Sequence, residues 1–227
     1  MPPLSRRFVA ELVGTFALVF FGCASVIASA YPGSNMGLTG VALAHGLVLG
    51  IGVTMTMYIS GGHLNPAVSL GMFVVRRIDA VTFGAYVVAQ LLGGVLAGLA
   101  LKYAWPSSIA NVVAYGTPQL SLSLSLGQGI WLEALMGFFL MSAVFGTAVS
   151  RGTHRVGGFG VGLTLAFMIL GLGPLTGAAV NAARALGPAI ASGTWTAQVV
   201  YWVGPAVGAV IAAFIWDRFL LRDEVAA

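Results

Sequence analysis

The apolar residues of this chain run nearly unbroken for long stretches, and the lengths of those runs are the first thing to read. Six of them, near 8–29, 38–60, 80–102, 128–149, 157–174 and 195–217, are long enough to cross the ~30 Å hydrocarbon core of a bilayer as helices. Two shorter runs, 65–75 and 181–191, would make helices of about 15 Å, half a membrane. Each short run follows a polar interruption, "SGGHLN" in the first case and "TGAAVN" in the second. The pattern predicts an all-α membrane protein with six transmembrane helices and two half-helices.

Charge decides how the short runs sit. Only 7% of residues are charged, against about a quarter in a soluble domain. The net charge of +4 does not point to nucleic acid, because the basic residues gather beside apolar runs rather than on one polar face. Eight of the ten form the groups Arg6/Arg7, Arg76/Arg77, Arg151/Arg155 and Arg218/Arg222, and such groups mark the cytoplasmic side. With six crossings and both termini inside, all four groups fall on that side and only Lys102 falls outside. If the short runs spanned fully, the groups would scatter. The half-helices are therefore read as re-entrant.

The chain also repeats. "AELVGTFALVFFG" leads to "GGHLNPAVSLG", and "LEALMGFFLMSAVFG" leads to "TGAAVNAARALGP". The repeats cover roughly 5–103 and 127–221 of a single domain, 1–227. Each holds three spans, an odd number, so the halves are inverted, an architecture of transport proteins. Asn65 is a preferred N-cap and Pro66 suits the first helical position; Asn181 repeats the cap. Irregular backbone does not face lipid, so both loops must line a cavity or be buried in protein. "LSLSLSLG", 120–127, reads as an extracellular loop. Cys23, the single cysteine, excludes an intramolecular disulfide and reads as a packed side chain. Arg6/Arg7 before an apolar run imitate a signal peptide, but Glu11 and the lack of a cleavage site favour a retained first helix.

Taken together, "SGGHLNPAV", "TGAAVNAAR", and Glu11 and Glu133 at the repeat starts resemble the aquaporin (major intrinsic protein) family. "AYVVAQLLGG" (85–94) and "YWVGPAVGA" (201–209) are similar to that family's third and sixth helices. The resemblance implies a homotetramer with a pore in each protomer, in the cell membrane and without a cofactor. It implies a central constriction of Asn65-Pro66-Ala67 and Asn181-Ala182-Ala183, the latter departing from the usual middle proline. It also implies an outer filter of His45, Ile169, Ala178 and Arg184, similar to that of some plant tonoplast intrinsic proteins, which pass water and often ammonia. Glycerol-conducting members place an aspartate after the arginine; here Ala185 stands there.

Several residues keep a second reading. His45 reads either as a filter residue or as a packed helix histidine. His63 sits in the pore-lining loop and serves through its backbone carbonyl or its ring. His154 is a solvated loop residue or a pH gate. Glu11 and Glu133 either hold the N–H groups of the re-entrant loops or carry protons. The function expected is passive conduction of water, with ammonia, hydrogen peroxide or other small neutral solutes as further cargo. An ion-coupled transporter and an intramembrane enzyme built on Ser60 and His63 are the competing classes.

Overall fold

A computed structural model describes residues 2–150 and 156–221; Arg151, His154, Arg155 and Arg222 lie outside the described residues. Helix α1 spans Leu4–Ser29, α2 Gly37–Thr56, the short α3 Pro66–Val74 and α4 Ala80–Ala104. After a one-turn helix α5, Ser107–Ala110, the second half follows: α6 Leu126–Val144, α7 Gly157–Thr176, the short α8 Ala182–Ser192 and α9 Gln198–Ile215. All regular structure among the described residues is helical, and six helices are long and apolar enough to cross a membrane. The chain is an all-α membrane protein of six spans and two half-helices in inverted repeats.

The halves interlock. Within each half, α1 packs on α4 and α6 on α9, while α2 lies against α7 across the halves. Each half-helix docks on the opposite half, α3 on α9 and α8 on α4. Close backbone approach makes this possible: Gly98 of α4 faces the carbonyl of Gly187 in α8, and Gly162 of α7 faces that of Gly46 in α2. A side chain at either glycine has no room, which is how small residues replace a hydrophobic driving force in lipid. Large apolar side chains such as Leu47, Leu163 and Phe167 remain half exposed on the outside. Aromatic residues mark both ends: Tyr103, Trp131 and Trp195 at one, Tyr58 and Phe219 at the end where α1 begins. That is the distribution expected of an interfacial belt.

The element ends differ from the sequence reading where local chemistry intervenes. Helix α6 begins at Leu126, inside the expected loop, because Ser125 and Gln128 form a reciprocal capping box. Helix α9 begins at Gln198 instead of near 195, because Ala197 adopts a left-handed φ of 55°. It continues through a π-helical turn, Trp216–Leu220. There Asp217, 5% exposed, binds Arg77 Nε at 2.6 Å, and the Arg77 guanidinium lies 5.3 Å from the Phe145 ring centre. This pair pins the segment after α3 to the end of the last span. Asp217→Ala is expected to cost about 2 kcal/mol, the scale of a hydrogen bond to a charged group, read as a lower melting temperature in detergent; an unchanged melting temperature would show that the pair anchors nothing.

Candidate functional site

The two re-entrant loops are built by the same local rules. Asn65 is extended (φ −157°, ψ 122°), and its Oδ1 accepts from Ala67 N at 2.9 Å. Asn181 has nearly the same angles (−155°, 115°) and its Oδ1 accepts from Ala183 N at 2.9 Å and Arg184 N at 3.3 Å. Pro66 occupies the first helical position of α3 and Ala182 that of α8. Before the caps, Leu64 (φ 49°), Ala178 (43°) and Val180 (53°) are left-handed. Each costs about 1–2 kcal/mol for a residue with a side chain, so something must hold them.

What holds them is a pair of buried carboxylates. Glu11 Oε1 accepts from Ser60 Oγ (2.6 Å) and His63 N (3.0 Å); its Oε2 accepts from Leu64 N and Gln90 Nε2, both at 2.7 Å. In the other half, Glu133 Oε1 accepts from Thr176 Oγ1 (2.7 Å) and Ala179 N (3.0 Å), and Oε2 from Val180 N (2.7 Å). Tyr86 and Tyr201 add the same brace, donating to the carbonyls of Ser60 and Thr176. The sequence reading named the two glutamates but missed Ser60 and Thr176 as their partners, along with Gln90 and both tyrosines. The signal lay within the quoted stretches "AYVVAQ" and "YWVGPA", in which Tyr86 and Tyr201 recur at equivalent places.

The half-helices meet N-terminus to N-terminus. Asn65 Nδ2 donates to Val180 O and Asn181 Nδ2 to Leu64 O, each at 2.8 Å. An amide nitrogen carries two hydrogens, so this reciprocal lock leaves one on each Asn. Both residues line a narrow cavity, together with His45, His63, Arg184 and an apolar wall that includes Leu18, Leu49, Val161 and Leu165. Its free volume of about 20 Å³ is close to the least that holds one water. Wide vestibules of about 530 and 540 Å³ lie outside it, the first against His45, Ile169 and Arg184 and the second beside Thr54, Tyr58 and Phe159.

His45 and Arg184 line both the narrow cavity and the first vestibule, Ala178 only the former and Ile169 only the latter. The structure thus brings the four expected filter residues to one junction. Arg184 donates from one terminal nitrogen to Gly116 O (2.8 Å), with Cys23 Sγ 3.5 Å away, and from the other to His45 Nε2 (3.1 Å). Arginine has no acceptor, so Nε2 must accept and the ring proton sits on Nδ1, which donates to Val41 O at 2.9 Å. His45 is packed and bonded to a carbonyl of its own helix, and it also lies at the junction. Arg184 Nε is buried without a partner among the described residues, a free donor on the only charged group there. Gly116 was not foreseen: Ala114, Tyr115 and Gly116 are left-handed in succession, a loop with no periodicity to announce it.

His63 sits lower. Its backbone N–H goes to Glu11, its Nδ1 lies 3.0 Å from Ser69 Oγ, and its ring stands edge-on to Tyr86. The Ser60 hydroxyl is turned to Glu11 and the His63 ring to Ser69, so the two side chains form no dyad.

Comparison with known proteins agrees with this geometry. The family model described as "Major intrinsic protein" matches residues 2–216. Aquaporin TIP4-4 of Zea mays is 40% identical over 96% of this chain and 88% of its own length. Nodulin-26 of Glycine max is 36% identical over 98% and 80%. The X-ray structure of the aquaglyceroporin from Plasmodium falciparum superposes with a TM-score of 0.86, covering 99% of this chain and 100% of that one at 24% identity, a likeness of fold. Several relatives are TIP-type, which does not favour the cell membrane expected from the sequence.

Proposed function

Because the chain belongs to the major intrinsic protein family, whose members are channels and not enzymes, we propose that it conducts water passively, carries ammonia as a second neutral cargo, and excludes ions and protons. The observation that carries the reading is the reciprocal lock of Asn65 and Asn181 at the meeting point of two half-helices. Each helix N-terminus carries about half a positive charge, so the junction repels a cation by about 4 kcal/mol at 4 Å and an effective dielectric of 20. A neutral molecule meets none of that. The remaining amide hydrogens of the two asparagines donate to a passing oxygen and orient it, which interrupts a proton wire. The apolar wall of Leu18, Leu49, Val161 and Leu165 beside them offers no competing bonds.

In this reading Glu11 and Glu133 hold the loops, and His63 fixes the first loop through its ring and N–H. His45, Ile169, Ala178 and Arg184 form the outer filter. Ile169 gives that filter an apolar flank, which supports passage of ammonia. Ala185, fully buried, adds no polar group, so glycerol has little to bind. Arg6, Arg7, Arg76, Arg77 and Arg218 lie at the end of the helices where α1 begins, which supports a cytoplasmic placement of that end. The half-exposed apolar faces support burial in lipid and in a homotetramer with one pore per protomer.

Stopped-flow light scattering on proteoliposomes tests the reading. Osmotic shrinkage and an ammonia-driven rise in internal pH should both be faster than in empty liposomes. Background water flux beside fast ammonia flux would replace the water reading with that of a neutral-solute channel, and voltage-driven ion flux would end both.

A further inference from the structure

Gly22 of α1 lies against the filter, and the filter histidine occupies the place where its side chain would be. A Cβ built on Gly22 would come within 2.7 Å of both Cδ2 and Nε2 of His45, and 3.2 Å of Cε1. The clash is with an imidazole that is not free to yield. Its two nitrogens are bound to Val41 O and to the Arg184 guanidinium, and it is 2% exposed. On the side away from α1, His45 lines the narrow cavity and the first vestibule, which give a displaced ring room to move.

We propose that Gly22 is a positioning residue of the filter: the missing side chain parks the His45 imidazole against α1, keeps Nε2 on Arg184, and so sets the aperture for small neutral solutes. A methyl group there pushes the ring across the opening and takes Nε2 off the guanidinium. The aperture is thus set by a helix that contributes none of the four filter side chains. The consequence for flux rests on the channel reading above; the placement of the ring does not.

Two readouts keep these apart. Imidazole ¹⁵N NMR of the full chain in nanodiscs, with His45 assigned by its loss in His45→Ala, reports whether Nε2 accepts from Arg184. In Gly22→Ala that signal should move, while Gly171→Ala, whose Cβ meets nothing within 4 Å, should leave it in place. In proteoliposomes Gly22→Ala should lower water permeability about tenfold, the lower range of what one misplaced methyl does in a tight site. Adding His45→Ala should restore it to the level of His45→Ala alone, since the two changes act through one contact. An unmoved ring-nitrogen signal in Gly22→Ala overturns the proposal, and so does a double variant as slow as Gly22→Ala, which would make the glycine a helix-packing residue. If the unaltered chain passes no water but the signal still moves, the parked ring stands and the water reading falls.

Discussion

Glu11→Ala is expected to yield almost no folded channel, and Glu133→Ala little more. Removing the Glu11 carboxylate takes this acceptor from the N–H groups of His63 and Leu64, the Ser60 hydroxyl and the Gln90 amide. Ser60 Oγ keeps a 3.4 Å approach to Thr56 O; each buried donor left without an acceptor costs about 1–3 kcal/mol, so the other three cost on the order of 6 kcal/mol. That is comparable to the whole stability of an ordinary domain, about 5–15 kcal/mol. Glu133 accepts from three donors instead of four; four residues after Tyr201 the chain has Pro205, where Gln90 follows Tyr86 at the same spacing. Its loss should be slightly milder. The left-handed Leu64 and Val180 would then be free to relax, taking the two caps out of register. Gln variants keep the shape and one acceptor, and should fall between alanine and the unaltered chain. Fluorescence-detected size exclusion in detergent, with a melting curve on whatever monodisperse fraction remains, checks the order. Alanine variants that fold normally and still conduct water would remove the glutamates from the architecture and return them to proton carriage.

How far the sequence reveals this architecture depends on the range of the interaction. The six spans are legible because hydrocarbon thickness imposes a length, and the re-entrant loops because Asn65-Pro66 and Asn181 start helices inside apolar runs. Glu11 and Glu133 are legible as pairs because the repeat places them alike. Their partners are not, since Gln90 reaches Glu11 from another helix and nothing in "AYVVAQ" says which way it faces. Arg77 illustrates the same limit. As a basic residue beside an apolar run it reads as a topology signal, yet in the fold it binds Asp217, 140 positions away. Gly22 is one of 32 glycines, most easily read as helix packing, and only its distance to His45 separates it from the rest. Local capping explains the shifted ends of α6 and α9, where Ser125–Gln128 and Ala197 overrule the hydrophobic run.

Arg184→Ala should open the channel to charge as well as to size. The guanidinium is held in one place by Gly116 O and His45 Nε2, so its charge stays fixed where the narrow cavity meets the first vestibule. At about 4 Å and an effective dielectric of 20, one fixed positive charge repels a cation by about 4 kcal/mol. Removing it raises cation occupancy at the filter by up to about three orders of magnitude, a tenfold change for each 1.4 kcal/mol. The half-helix junction at Asn65 and Asn181 still stands behind it, carrying about one unit of positive charge. The net leak should therefore be smaller, on the order of tenfold in proton and methylammonium flux. Neutral solutes larger than water should also enter, because the side chain that spans the space between His45 and Gly116 is gone. Water permeability should hold or rise, since water loses one donor and gains room. Arg184→Lys separates the two effects: it keeps the charge but not the paired donors, so it should restore cation exclusion while leaving the aperture wide. Proton flux under a pH gradient and methylammonium uptake in proteoliposomes read the charge effect, and urea swelling reads the size effect. Fluxes of all three that match the unaltered channel would mean that exclusion rests on the central junction alone.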